Sequence, residues 1–354
     1  MANLNGRRLA LLSLSTVLVA ARCSLGNSNA PNAAINQAAA VGSSFRLDQK
    51  LARLDLDEWT RLPHPFGSAR QSEVLDWLRR RLEGIGLQVI EEPFDATVPN
   101  PLALSSSAPV ASTLQRRGRN LYATAPGLAQ APCAVILATH VDTKEVVGTT
   151  YLGANDSGSS SVLLLQLLSY LQRPEVAKQR DCAVIGTFFD GEEAVLPNWT
   201  DGELIAPTKM IDHTYGSRFA AQQLTQCSGK TGMLQASMCL PKKLAGIHLR
   251  AVILLDMVGS PGLRLSHDSN SSPELVMTLG ELATAMGHAE VLAVHEKAIE
   301  DDHLPFRQRG VPAIDLIDFE HLGYWHQPGD GVEHIDMNSL NFAGQLAVGL
   351  LSRF

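Results

Sequence analysis

The sequence has no basic excess: 29 Lys and Arg stand against 36 Asp and Glu, a formal charge of −7 over 354 residues. A modestly acidic chain stays soluble and offers no electrostatic grip on nucleic acid or an anionic membrane, so neither is expected as a partner. Its five cysteines include no Cys-x-x-Cys pair, which disfavours a cysteine-based zinc site. There is no internal repeat, and no linker interrupts residues 45–354, so one domain is expected. With 45% hydrophobic and 18% charged residues, 18 prolines and 28 glycines, the chain is neither collagen-like, wholly disordered nor a coiled coil.

One apolar run stands apart. Arg7-Arg8 precede Leu9 to Ala21, which is apolar except for Ser and Thr. A basic head and roughly a dozen apolar residues resemble a secretory signal, since a spanning helix needs about 20. Residues 1–30 are therefore expected to be a signal peptide, with Val19-Ala20-Ala21 or Ser28-Asn29-Ala30 as cleavage sites and the protein exported. A lipoprotein at Cys23 is disfavoured by Arg22, and an uncleaved anchor is the competing reading. Residues 31–44, rich in Asn, Ala, Ser and Gly, are expected to form a disordered leader before a domain at 45–354. Export permits disulfides, and Cys133, Cys182, Cys227 and Cys239 admit three pairings, of which Cys227–Cys239 is the least demanding.

Periodicity predicts helices over 71–82, 161–171, 272–286 and 338–353. Short apolar strands are expected at 87–90, 134–138, 183–189, 251–255 and 311–317. Buried strands alternating with helices predict a single-domain α/β/α sandwich around a largely parallel, mixed sheet.

Acids and histidines follow these strands. Ala134–Ala138 runs into His140-Val141-Asp142, Ala183–Phe189 into Asp190-Gly191-Glu192-Glu193, and Ala251–Leu255 into Asp256. Ligands of open α/β sheets collect beyond the carboxyl ends of strands, so three such ends together outweigh the ordinary reading of solvated loops. Gly153-Ala154-Asn155-Asp156 adds a glycine-flanked carboxylate, and Trp325-His326 follows the last strand. His, Asp and Glu without Cys suit a zinc site with an open position. In Glu192-Glu193, one carboxylate can bind metal while its neighbour stays free for proton transfer.

In this order, His140-x-Asp142, Gly153-Ala154-Asn155-Asp156, Glu192-Glu193, Asp256-Met257-Val258-Gly259 and His326 resemble the zinc aminopeptidase superfamily. Within it, Phe188–Ala194 with Trp199, Tyr215-Gly216-Ser217-Arg218, Asp301-Asp302-His303-Leu304-Pro305-Phe306, Arg309-Gly310-Val311-Pro312 and Trp325-His326 look like the animal-type glutaminyl-peptide cyclotransferases. The resemblance spans roughly Leu51 to the C-terminus. It implies one zinc held by Asp156, Glu193 and His326, with Glu192 as proton shuttle. Asp256 and Asp301 would form the acidic network around Glu192, and Trp199 and Trp325 would line the substrate pocket. The implied substrates are peptides or proteins with N-terminal Gln; a monomer is expected.

The chain also departs from that pattern. Animal members pair a Cys beside the His-x-Asp motif with one in the following helix, where this chain has Thr139 and Ser residues. The segment between Ala194 and Tyr215, containing Pro197, Pro207 and His213, is longer and is expected at the pocket rim. An aromatic expected shortly before Trp325 is unmatched, with His321 in its place and Phe319 and Tyr324 close by. The competing enzyme is a two-zinc aminopeptidase with His140, Asp156, Glu193, Asp256 and His326 as ligands. A binding domain that has lost catalysis requires the loss of a ligand or of Glu192, and all are present.

Overall fold

Every residue of Ala134–Ala138 is apolar, which a period-two strand accommodates only when both of its faces are covered. The computed structural model, which describes residues 33–104, 111–146, 148–197, 199–202, 213–226 and 238–354, has that arrangement. Val135 and Leu137 enter one buried cluster, and Ala134, Ile136 and Ala138 enter another on the opposite face. Ile253 and Leu255 divide from Val252 and Leu254 in the same way.

Helices α1 (Ala33–Gly42), α2 (Gln49–Trp59) and α3 (Ala69–Gly84) precede β1 (Gln88–Pro99) and β2 (Thr113–Thr124). Next come β3 (Ala134–His140), α4 (Ser160–Leu171), the short α5 (Pro174–Ala177), β4 (Ala183–Phe189) and α6 (Tyr215–Gln222). Strands β5 (Thr225–Gln226), β6 (Met238–Cys239), β7 (Leu249–Asp256) and β8 (Leu265–Asp268) follow. The chain closes with α7 (Pro273–Ala285), β9 (Leu292–Lys297), α8 (Leu304–Arg307), β10 (Ala313–Ile317) and α9 (Met337–Leu351). The main sheet has the order β1-β2-β4-β3-β7-β10. Its β4-β3-β7-β10 half is parallel, and β2 pairs antiparallel with both β1 and β4. Residues of α4 and α9 pack into the first cluster and residues of α6 and α8 into the second, which makes the expected α/β/α sandwich.

Two expectations need correction. The stretch placed in a disordered leader forms α1, where Ile35, Ala38, Ala39 and Gly42 are buried at helical spacing. Alanine is the strongest helix former, and here small side chains let two helices approach closely. A Cβ on Gly42 would stand 2.3 Å from the Gln345 carbonyl of α9. Strand β2 was not expected at all, because Gln115, Arg116, Arg117 and Arg119 interrupt any apolar run. It is largely buried only from Asn120 onward, where Leu121–Thr124 pair with β4.

Among the cysteines, Cys133 and Cys182 form a disulfide joining the starts of β3 and β4. The expected signal peptide, Cys23, Cys227, Pro207 and most of the 195–214 insertion lie outside the described residues. Where the animal-type pattern would have a crosslink, the Thr139 hydroxyl donates to Ser160 Oγ at 2.8 Å.

Candidate active site

Strand register decides which polar residues meet. His140 lies beside Phe189, and Asp256 beside Ile317, so the segments following β3, β4, β7 and β10 emerge at one edge. Asp142 is fully buried behind these segments. Its carboxylate accepts from the backbone N–H groups of Gly191 at 2.8 Å, Glu192 at 2.9 Å and Glu193 at 3.1 Å. That brace fixes the turn presenting the two glutamates.

A second turn presents Asp156. Gly153 has φ +61°, and a Cβ there would lie 2.3 Å from the Asp156 carbonyl, so only glycine fits. The Asp330 carboxylate accepts from the Asn155 N–H at 2.8 Å and the Asp156 N–H at 3.3 Å. The Tyr151 hydroxyl donates to Asp156 Oδ2 at 2.9 Å.

Asp156 then joins two clusters. His326 Nε2 lies 3.3 Å from Asp156 Oδ2 and 3.1 Å from Glu193 Oε1. His140 Nε2 lies 3.0 Å from Asp156 Oδ1 and 3.3 Å from Asp256 Oδ1. Within each trio the ligand atoms lie within 4.8 Å of one another. The Asp156–Glu193–His326 trio fits a zinc ion by donor chemistry, one imidazole and two carboxylates. The buried Glu193 Oε2 accepts no hydrogen bond and has the Lys144 ammonium only at 3.8 Å, which leaves its lone pairs available to a metal ion.

The carboxylates face a cavity of about 570 Å³ lined by Asp156, Glu192, Glu193, Asp256 and Asp301 among others. Glu192 is buried, and burial followed by the charge of Asp301 pushes its carboxyl well above the usual range. Burial, then Asp256, raises Asp301 to about 7, and burial raises Asp256 to about 6. Asp315, on β10, is raised by its own burial and then by the charge of Asp301. Asp302 and His303 are fully buried, and His303 Nε2 reaches Asp268 Oδ2 at 2.9 Å, which ties the segment that carries Asp301 to β8.

The opposite wall is aromatic. Trp199 and Trp325 stack with centroids 6.1 Å apart and planes 12° from parallel, and Trp325 also stacks on His326 at 4.1 Å. Both tryptophans are partly exposed and line the cavity. Phe319 packs edge-on against Trp325 at 5.3 Å and lines the same cavity, while His321 turns to Asp318 at 2.8 Å. Among the described residues, Trp199, Thr214, Met257 and His326 have positive φ without being glycine, with Ala245 the one other. Backbone strain is thus concentrated around the cavity.

Tyr151, Asp330 and Lys144 were missed in the sequence. Lys144 is buried, donates to the Ala194 carbonyl at 2.5 Å and lies 4.1 Å over the Trp199 ring. Its position two residues after Asp142 was the available signal. Asp330 had none, because it reaches Asp156 across 174 residues.

The profile of peptidase family M28 matches residues 120–351, more than half of the chain. The chain belongs to peptidase family M28. This M28 chain is 24% identical over 314 residues to a glutaminyl-peptide cyclotransferase of Boiga dendrophila, covering 80% of this chain and 77% of that one. A Porphyromonas gingivalis glutaminyl cyclase superimposes with a TM-score of 0.65 at 24% identity, over 86% of this chain and 97% of its own. A leucine aminopeptidase precursor from Bacteroides thetaiotaomicron gives 0.66 at 19%, over 88% and 98%. These structural likenesses show the fold alone. One fold thus carries differently named activities, and the choice between them rests on the site's own residues.

Proposed function

We propose that this chain is a zinc-dependent glutaminyl cyclase, converting the N-terminal Gln of peptides or proteins to pyroglutamate and releasing ammonia. The observation that carries this reading is the Asp156–Glu193–His326 trio opening into a cavity walled by stacked Trp199 and Trp325, with Glu192 beside it. The named relative supports the same substrate class.

The reaction joins two groups of one residue. The substrate's α-amine attacks its own γ-amide carbon, a C–N bond forms, and the bond to the leaving nitrogen breaks. Confinement in the cavity against the stacked tryptophans would favour the folded side-chain conformer, and proximity lowers the entropic barrier. A zinc ion bound by Asp156, Glu193 and His326 would supply Lewis-acid polarisation of the γ-carbonyl. Glu192 takes the proton from the attacking amine and delivers it to the departing nitrogen. Its raised pKa makes it a stronger base than an exposed glutamate. The amine itself, with a reference pKa of about 8, is partly deprotonated near neutrality. Asp256 and Asp301, each lifted by burial and by neighbouring carboxylates, line the same cavity as Glu192 and favour the protonated form in this acid cluster.

A two-zinc aminopeptidase is the second reading, favoured by the His140–Asp156–Asp256 trio that shares Asp156. A Gln-initiated peptide distinguishes the two. The cyclase lowers its mass by one ammonia and leaves every peptide bond intact, and an α-acetylated version is inert. Release of free N-terminal amino acids faster than ammonia would overturn the cyclase reading. Export is proposed with it: the Cys133–Cys182 disulfide suits an oxidising compartment, and no described helix is long and apolar enough to cross a membrane.

A further inference from the structure

His213 closes the 195–214 insertion, and nothing in the reaction just described uses it. Its ring is 3% exposed and forms part of the cavity wall. Nδ1 lies 3.0 Å from the backbone carbonyl of Glu192 and 3.3 Å from Glu192 Oε1. A carbonyl only accepts, so Nδ1 carries the hydrogen, and that one N–H reaches both the backbone and the carboxylate of the same glutamate. The ring also stands edge-on to Trp199, with centroids 4.7 Å apart and planes at 80°.

The placement is tightly held. Thr214, at φ 53°, donates its N–H to the Glu192 carbonyl at 2.9 Å, and Tyr215 donates to the Gly191 carbonyl at 2.6 Å. Residues 213–215 are therefore stitched directly onto the turn that presents the glutamates. Burial pushes the imidazole down to about 3, so it stays neutral and offers a dipole rather than a cation. Nε2 is left as the acceptor, 3.9 Å from Glu300 Oε2.

We infer that His213 is a positioning residue: its Nδ1–H orients the Glu192 carboxylate while its ring edge holds Trp199. This rests on Glu192 being the base, as proposed above. The geometry supplies a discriminating pair of variants. Asn places its amide nitrogen where Nδ1 stands, and Gln places its own where Nε2 stands. His213→Asn should keep kcat within about threefold of the parent. His213→Gln should lose kcat by about 10- to 100-fold, the scale on which small misplacements of a reacting group act. Zinc content and melting temperature should be nearly unchanged in both, while KM should rise by a similar factor in both, because each removes the ring edge that holds Trp199. A Gln variant as active as the parent overturns the inference, as does loss in both variants tracking loss of zinc or of folding. A parent protein that releases N-terminal residues instead of ammonia sinks the cyclase reading alone. The same Asn–Gln contrast is then scored on peptidase turnover, because Glu192 is the base on either reading.

Discussion

At the residue scale, neighbouring side chains of one type are given different work by their surroundings. Glu193 turns to His326 and shares its imidazole with Asp156. Glu192, one residue earlier, meets the cavity, the acid cluster and His213. The two roles separate experimentally. Glu192→Gln keeps size and polarity but removes the base, so turnover should fall by about a hundredfold or more with zinc retained. His326→Ala should lose zinc and activity together, read by elemental analysis beside an ammonia assay. Near-normal turnover in Glu192→Gln would show that the proton moves elsewhere.

At the element scale, helices and buried strands were legible wherever a local signal exists. Helix α3 begins where Ser68 caps the Gln71 N–H at 3.1 Å, close to the predicted start. Helix α1 escaped because its Ala-rich, low-complexity sequence acquires meaning only against α9, some 300 residues away. The Cys133–Cys182 disulfide sits at the opposite strand ends from the site and closes a sequence separation of 49 residues. On chain-entropy grounds such a crosslink contributes about 4 kcal/mol. Replacing both cysteines with Ser should lower the melting temperature by several degrees and leave kcat per folded molecule unchanged. A fall in kcat would mean that strain at the far end of β3 and β4 reaches His140 and the glutamates.

At the scale of the whole molecule, the site gathers more buried acid than its own side chains can neutralise. Glu192, Asp256 and Asp301 are raised, so the folded protein holds protons there that an unfolded chain releases from about pH 4 upward. A raised acid stabilises less as pH climbs from the unfolded value through the folded one, here about 6 for Asp256 and about 7 for Asp301. The buried neutral imidazoles of His64 and His213 oppose this trend below about pH 6.5, so chelated protein should melt at progressively lower temperature as pH rises from about 6.5 to 8. Added zinc should restore both stability and turnover, since a ligand bound only by the folded state raises its melting point. A chelated protein whose melting temperature rises over that interval would contradict the assignment of these groups as raised acids.

The amino-acid sequence by itself determined the buried strands, the polar residues at their carboxyl ends and the neighbouring glutamates. Those are properties of a few consecutive residues and a short period. Tertiary structure alone decided which carboxylates meet. Asp156 takes its backbone partner from Asp330 and its side-chain partners from Tyr151, His140 and His326. It also turned Asp142 into a brace, seated Phe319 rather than His321 against Trp325, and brought His213 back onto Glu192. Such contacts depend on sheet register and loop return across long stretches of chain, which no local pattern encodes.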